Sequence, residues 1–226
     1  MNWMVPFLKS SLGRKLIMSL TGLFLCLFLV VHLAGNFQLL KSDGGEAFNT
    51  YTYFMTHNPL IKLISYFTYF FILLHTFQGL VLYFHNRSAR GAAYLDKHPS
   101  KTTFASRNMA LLGSVIFLFL IVHMGDFWFK MKRGILAKVS YEGYDQIDDL
   151  YTRVTAAFDQ WWIVLFYVAG MGFLGFHLQH GFQSAFQSLG LNHPKYTPWI
   201  KNTGIVFCIL ISAGFAIIPI IQYFSK

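Results

Sequence analysis

Apolar residues run along this chain in five long blocks, and short polar stretches between them hold nearly all the charge. The blocks lie near 16–40, 60–85, 108–129, 160–187 and 203–224. Each is about 20 residues or longer, the length an α-helix needs to cross a bilayer. The pattern predicts an all-α membrane protein with five transmembrane helices, and residues 1–226 read as a single membrane domain. The first block is longer than a signal h-region and has no small-residue cleavage site after it, so it reads as a retained span. Punctuation agrees with these limits. Ser10 and Ser11 can cap the first helix, and Asn58-Pro59 opens the second. Ser42-Asp43-Gly44-Gly45 marks a turn in loop 41–59, and Asn192-His193-Pro194 breaks the last connection. In the longest and most acidic loop, 130–159, Ile147, Leu150, Tyr151 and Val154 recur at helical spacing. That spacing predicts a short interfacial helix between Tyr144 and Phe158.

Composition sharpens the class. The chain is 55% hydrophobic and 12% charged, against about 25% charged in an ordinary soluble domain. A soluble catalytic domain has no room here. The net charge of +9 does not indicate nucleic acid, because the cations sit on short loops beside the spans. Five crossings place the chain ends on opposite sides. One side holds Lys9, Arg14, Lys15, Arg87, Arg90, Lys97, Lys101, Arg107, Lys195 and Lys201, with Asp96 its only acid. The other holds Lys41, Lys62, Lys130, Lys132, Arg133, Lys138, Arg153 and Lys226. The positive-inside bias then favours a cytoplasmic N-terminus and an outside C-terminus, and the expected location is the inner (cytoplasmic) membrane of a bacterium. Cys26 and Cys208 fall inside spans and read as small apolar residues. There is no Cys-x-x-Cys-His, so covalent c-type haem attachment is excluded.

Four of the spans carry one central histidine each: His32, His75, His123 and His177. An ionisable side chain inside a span is costly and usually marks function. By the helical rise, His32 lies ~14 Å from Lys41 and His123 ~11 Å from Lys130, both on an outer level. His75 lies ~20 Å inward of Lys62 and His177 ~27 Å inward of Asp159, both on an inner level. A short repeat gives the same pairs. Gly22-x9-His32 matches Gly113-x9-His123, and His75-x3-Gly79 matches His177-x3-Gly181. Paired imidazoles across a helix bundle are how proteins hold b-type haem. The expectation is therefore a bundle of the first four helices around two b haems. His32 and His123 would hold the outer haem iron, and His75 and His177 the inner. His57, His98 and His193 lie in loops, and His85 lies at a span end. His180, three residues from His177, competes as a ligand or as a hydrogen-bond donor. No Gly-rich phosphate loop, His-Glu-x-x-His or Ser-His-Asp signal is present, so no catalytic residue is expected.

The residues also resemble a known family. Ser11-Leu12-Gly13-Arg14-Lys15, Thr21-Gly22-Leu23, His32-Leu33-Ala34-Gly35-Asn36, Gly45-Glu46-Ala47-Phe48-Asn49, His75-Thr76-Phe77-Gln78-Gly79 and His177-x-x-x-Gly181-Phe182-x-Ser184-Ala185-Phe186 carry the likeness. In this order they resemble the five-helix, di-haem cytochrome b anchor of succinate dehydrogenases and fumarate reductases. The resemblance implies two haem b groups on the same four histidines, and quinone as substrate, menaquinone favoured over ubiquinone. It implies a flavoprotein and an iron-sulfur subunit as partners in a respiratory complex, with dimerisation open. The chain would carry electrons between the iron-sulfur subunit and membrane quinone, as a non-flavin subunit of a succinate:quinone oxidoreductase with no succinate or fumarate active site of its own. Glu46, Asp126 and His180 are the quinone-side candidates. The likeness departs at Gly175, where some relatives carry a glutamate used for proton movement, so a path built on that acid is not expected.

Two other readings remain open at this stage. One is the cytochrome b subunit of a hydrogenase or formate dehydrogenase. The other is a non-haem membrane transporter whose histidines bind metal or relay protons.

Overall fold

A computed structural model describes residues 3–89 and 104–225. Arg90, Asp96, Lys97, His98, Pro99, Lys101 and Lys226 lie outside the described residues. Among the described residues, five helices are long and apolar enough to cross a membrane: Ser11–Leu40, Pro59–Ser88, Met109–Lys132, Trp161–Ser188 and Thr197–Phe224. The chain is a multi-pass, mostly helical membrane protein.

A short helix α1 (Met4–Lys9) precedes the first span. Ser10 separates it from α2 (Ser11–Asn36), and the Ser10 hydroxyl accepts the Gly13 N–H at 3.1 Å. That side-chain oxygen satisfies one of the amides a helix start leaves free. A 3-10 turn over Phe37–Leu40 finishes the span. Helix α3 (Glu46–His57) follows where the sequence suggested only loop. Gly45 enters it at φ +92, a left-handed backbone, and its face lies against the Tyr151 ring with no space for a Cβ. Asn58 starts α4 (Pro59–Ala89) by accepting the N–H groups of Leu60 and Ile61.

Past the undescribed stretch, α5 (Phe104–Arg107) leads into α6 (Met109–His123). The third span continues as a π-helical turn over Met124–Phe129 and closes with α7 (Lys130–Lys132). Strands β1 (Lys138–Tyr141) and β2 (Tyr144–Asp148) pair antiparallel around a turn at Gly143. Helix α8 (Leu150–Phe158) follows, with the Asp149 carboxylate accepting the Thr152 N–H. The expected interfacial helix from Tyr144 to Phe158 is thus half right. Its first part is a strand, in which Ile147 pairs with Val139 and is buried beneath α3. Helices α9 (Trp161–Ser188) and α10 (Thr197–Phe224) complete the chain.

The fifth long helix belongs to the bundle rather than flanking four others. Helix α10 packs against α9 and α2, and Gly204, Gly175 and Gly214 let the backbones approach. A Cβ on Gly214 would meet Leu33, and one on Gly204 would meet Phe182. Small residues at such crossings are how helices associate where water supplies no driving force. The buried core joins Leu33, Phe119, Tyr167, Met171, Ile211 and Ile218 from four of the spans. At the far end, α3, the hairpin and α8 form a cap. The Gln222 amide of α10 donates to the Leu39 carbonyl at 2.6 Å and ties the last span to that end.

Candidate functional site

The long helices enclose a cavity of about 2310 Å³, and His32, His75, His123, His177 and His180 all line it. Alternation of helix direction brings the first four into two facing pairs. The His32 and His123 ring centroids are 5.9 Å apart, and those of His75 and His177 are 6.2 Å apart. Each facing pair joins histidines of similar depth along their spans. Their side chains are half-exposed, because the cavity borders them on one side.

Each ring is held from behind. Phe28 stacks on His32 at 5.2 Å, and Phe119 stacks on His123 at 5.7 Å. Both phenylalanines lie four residues before their histidine, one helical turn away. His123 Nδ1 lies 3.3 Å from the Tyr167 hydroxyl. Asn36 Nδ2 donates to the His32 carbonyl at 2.8 Å and lies 3.5 Å from its Nε2. On the inner level, Thr21 Oγ1 lies 2.8 Å from the Ile17 carbonyl and 3.0 Å from His75 Nδ1. The hydroxyl donates to the carbonyl, so its oxygen accepts Nδ1–H. That fixes the neutral tautomer with its lone pair on Nε2. His177 Nδ1 is buried with no partner among the described residues.

The repeated glycines have a physical role. A Cβ on Gly22 would stand 3.2 Å from His75 Cε1, and one on Gly113 would stand 3.7 Å from His177 Cε1. Each glycine on an outer-level helix therefore makes room for an inner-level histidine of its neighbour. Gly79 has only Met18 nearby, and Gly181 has nothing within 4 Å. The His-x3-Gly half of the repeat has no such account.

The remaining candidates separate. His180 lines the cavity and is half-buried. Asp126 does not line it; it accepts from Lys130 at 2.6 Å and from Arg153, which ties the π-helical turn to α8. Glu46 is exposed at the start of α3, outside the lining. Gly175 packs on α10, where a Cβ would stand 3.0 Å from Ser212 Oγ, so a larger acid there would have to displace that contact.

The metal expectation is corrected. Among the described residues, no three or more His, Cys, Asp or Glu side chains gather as a group that could hold a metal ion. A site built wholly of protein donors needs three or four; each level here supplies two imidazoles. On that finding several assignments do not stand. They are the succinate dehydrogenase and fumarate reductase cytochrome b resemblance, the bundle built around two b haems, and the two haem b cofactors with quinone as substrate. The electron-carrying function and the role as an oxidoreductase subunit fall with them. Five apolar spans and two imidazole pairs remain.

Sequence reasoning missed Thr21, Tyr167 and Asn36 as supports of the histidines. Phe28 and Phe119 were within its reach, since both lie inside the repeated Leu-Phe-Leu-x-Val-His string. Comparison with known proteins found no matching family model, no matching curated protein and no matching solved structure.

Proposed function

We propose that the chain is a membrane-embedded binding protein whose site is the central cavity, with His32 and His123 gripping a guest at one depth and His75 and His177 at the other. The observation that carries this reading is the pair of facing imidazole sets, about 6 Å between ring centroids at each level. The rings of each pair stand edge-on, 86° and 69° between planes, so each pair meets a guest from the cavity wall, through its ring nitrogens. The surrounding wall is mostly aromatic and aliphatic, which suits a rigid, largely apolar guest. The test is purification from native membranes in mild detergent, with the bound small molecules identified by absorption and mass spectrometry. A stoichiometric guest is expected, and a protein that carries none sinks the proposal.

A second reading is a transporter without a prosthetic group. The cavity lining favours it, because it runs from Lys15, Arg87 and Arg107 at one end of the bundle to Thr56 and Met131 at the other. Flux of a solute or of protons across vesicles, lost in His75→Ala without loss of any guest, would support that reading instead.

Orientation and partners belong to the same proposal. The loop charges favour an N-terminus in the cytoplasm and a C-terminus outside, and a bacterial inner membrane is the proposed location. Labelling of introduced cysteines from outside reaches loop 130–159 and not loop 86–107; the reverse pattern would invert the chain. A flavoprotein and an iron-sulfur protein remain proposed partners, with the basic face as their docking surface, and co-purification tests them.

A further inference from the structure

The charges of this chain divide by side. Among the described residues, the side that holds the start of α2, the end of α4 and α5 carries seven Lys and Arg (Lys9, Arg14, Lys15, Arg87, Arg107, Lys195 and Lys201) and no acid. The other side carries Lys41, Lys62, Lys130, Lys132, Arg133, Lys138 and Arg153 against Asp43, Glu46, Asp126, Glu142, Asp145, Asp148, Asp149 and Asp159. The excess positive charge of the described residues therefore sits on one face. All three ion pairs of the described residues, Lys130–Asp126, Lys138–Asp148 and Arg153–Asp126, lie on the opposite side.

Three of the unbalanced cations do more than face the medium. Lys15, Arg87 and Arg107 are exposed, and they also line the mouth of the central cavity, with Asn86, Ser184 and Gln187 beside them. Arg87 donates to the Tyr83 hydroxyl at 3.1 Å, which holds its guanidinium at the rim. Among the described residues, none of the three pairs with a carboxylate. Below them the cavity lining turns apolar. A cationic rim over an apolar cleft, at the level where a span meets the membrane surface, matches a molecule with an anionic head and hydrocarbon tails.

We propose that this mouth is a binding site for one anionic phospholipid. Lys15, Arg87 and Arg107 hold the phosphate, Asn86, Ser184 and Gln187 donate to it, and an acyl chain enters the cleft. Guanidinium groups supply the forked donors that suit phosphate oxygens. The inference does not depend on what the histidine pairs hold.

The test uses the full chain in nanodiscs of phosphatidylcholine alone and of phosphatidylcholine with phosphatidylglycerol, read by native mass spectrometry. Phosphatidylglycerol should be retained over phosphatidylcholine in the wild type. Each of Lys15→Gln, Arg87→Gln and Arg107→Gln should weaken that preference by roughly fivefold. Lys9→Gln and Lys195→Gln, on the same face but off the cavity, should leave it unchanged. Equal retention of the two lipids by the wild type would overturn the proposal without any variant. Equal loss in the Lys9 and Lys195 variants would also overturn it, since the attraction would then be diffuse.

Discussion

At the scale of single residues, the site is shaped as much by what is missing as by what is present. Gly22 and Gly113 have no side chain where His75 and His177 approach, so two helices come close enough for the imidazoles to face each other. Gly22→Leu should push His75 aside and release the inner-level guest, while the outer level, which touches neither atom, keeps its own. Loss of both guests together would contradict separate levels. Thr21→Val removes the oxygen that accepts His75 Nδ1–H. A lost hydrogen bond of this kind costs about 1 kcal/mol, so inner-guest affinity should fall by roughly fivefold in a titration, with the fold intact. The histidines and the glycine spacing were legible in sequence because both recur. Thr21 and Tyr167 were not, because each acts on a histidine 54 or 44 residues away and no local pattern announces it.

At the scale of elements, the cap over the far end is fastened by Asn49. This residue is fully buried. Its amide donates to the Tyr141 hydroxyl and to Asp149 Oδ1, both at 3.0 Å, and its carbonyl accepts the Tyr151 N–H at 2.9 Å. One side chain thus joins α3 to the hairpin and to α8. Asn49→Ala strands these partners, at a cost of about 1–3 kcal/mol for each buried group left unpaired. Hydrogen exchange should quicken across 138–158 and not in the five spans. Asp149 makes the cap sensitive to acid. Burial pushes its pKa up, but hydrogen bonds from Thr152 and Asn49 outweigh it and hold the carboxyl below its ordinary value of 3.8. A depressed folded value means that this contribution is complete above 3.8 and is lost as the pH falls through the folded value. Exchange in the cap should therefore rise in that window before the spans respond. The cap was the least legible part of the chain. Its helix α3 lay in a stretch that read as loop, and strand β2 imitated a helix because Ile147 and Leu150 sit three apart. Apolar spacing alone could not separate a short strand followed by a helix from one continuous helix.

At the scale of the molecule, five spans were legible because the bilayer imposes a length and a composition that few other structures need. What the cavity holds was not, since a pair of imidazoles states where a guest is touched and not what it is. The loop charges point to one orientation, and the same asymmetry leaves an uncompensated cationic rim at the cavity mouth. The central claim is that four histidines act as two pairs at two depths. The most direct measurement of it is guest content in four single variants of the purified protein. His32→Ala and His123→Ala should lose one and the same guest signal, and His75→Ala and His177→Ala should lose the other, with circular dichroism unchanged. Loss of the same signal in His32→Ala and His75→Ala, or retention of every signal in all four, would contradict it.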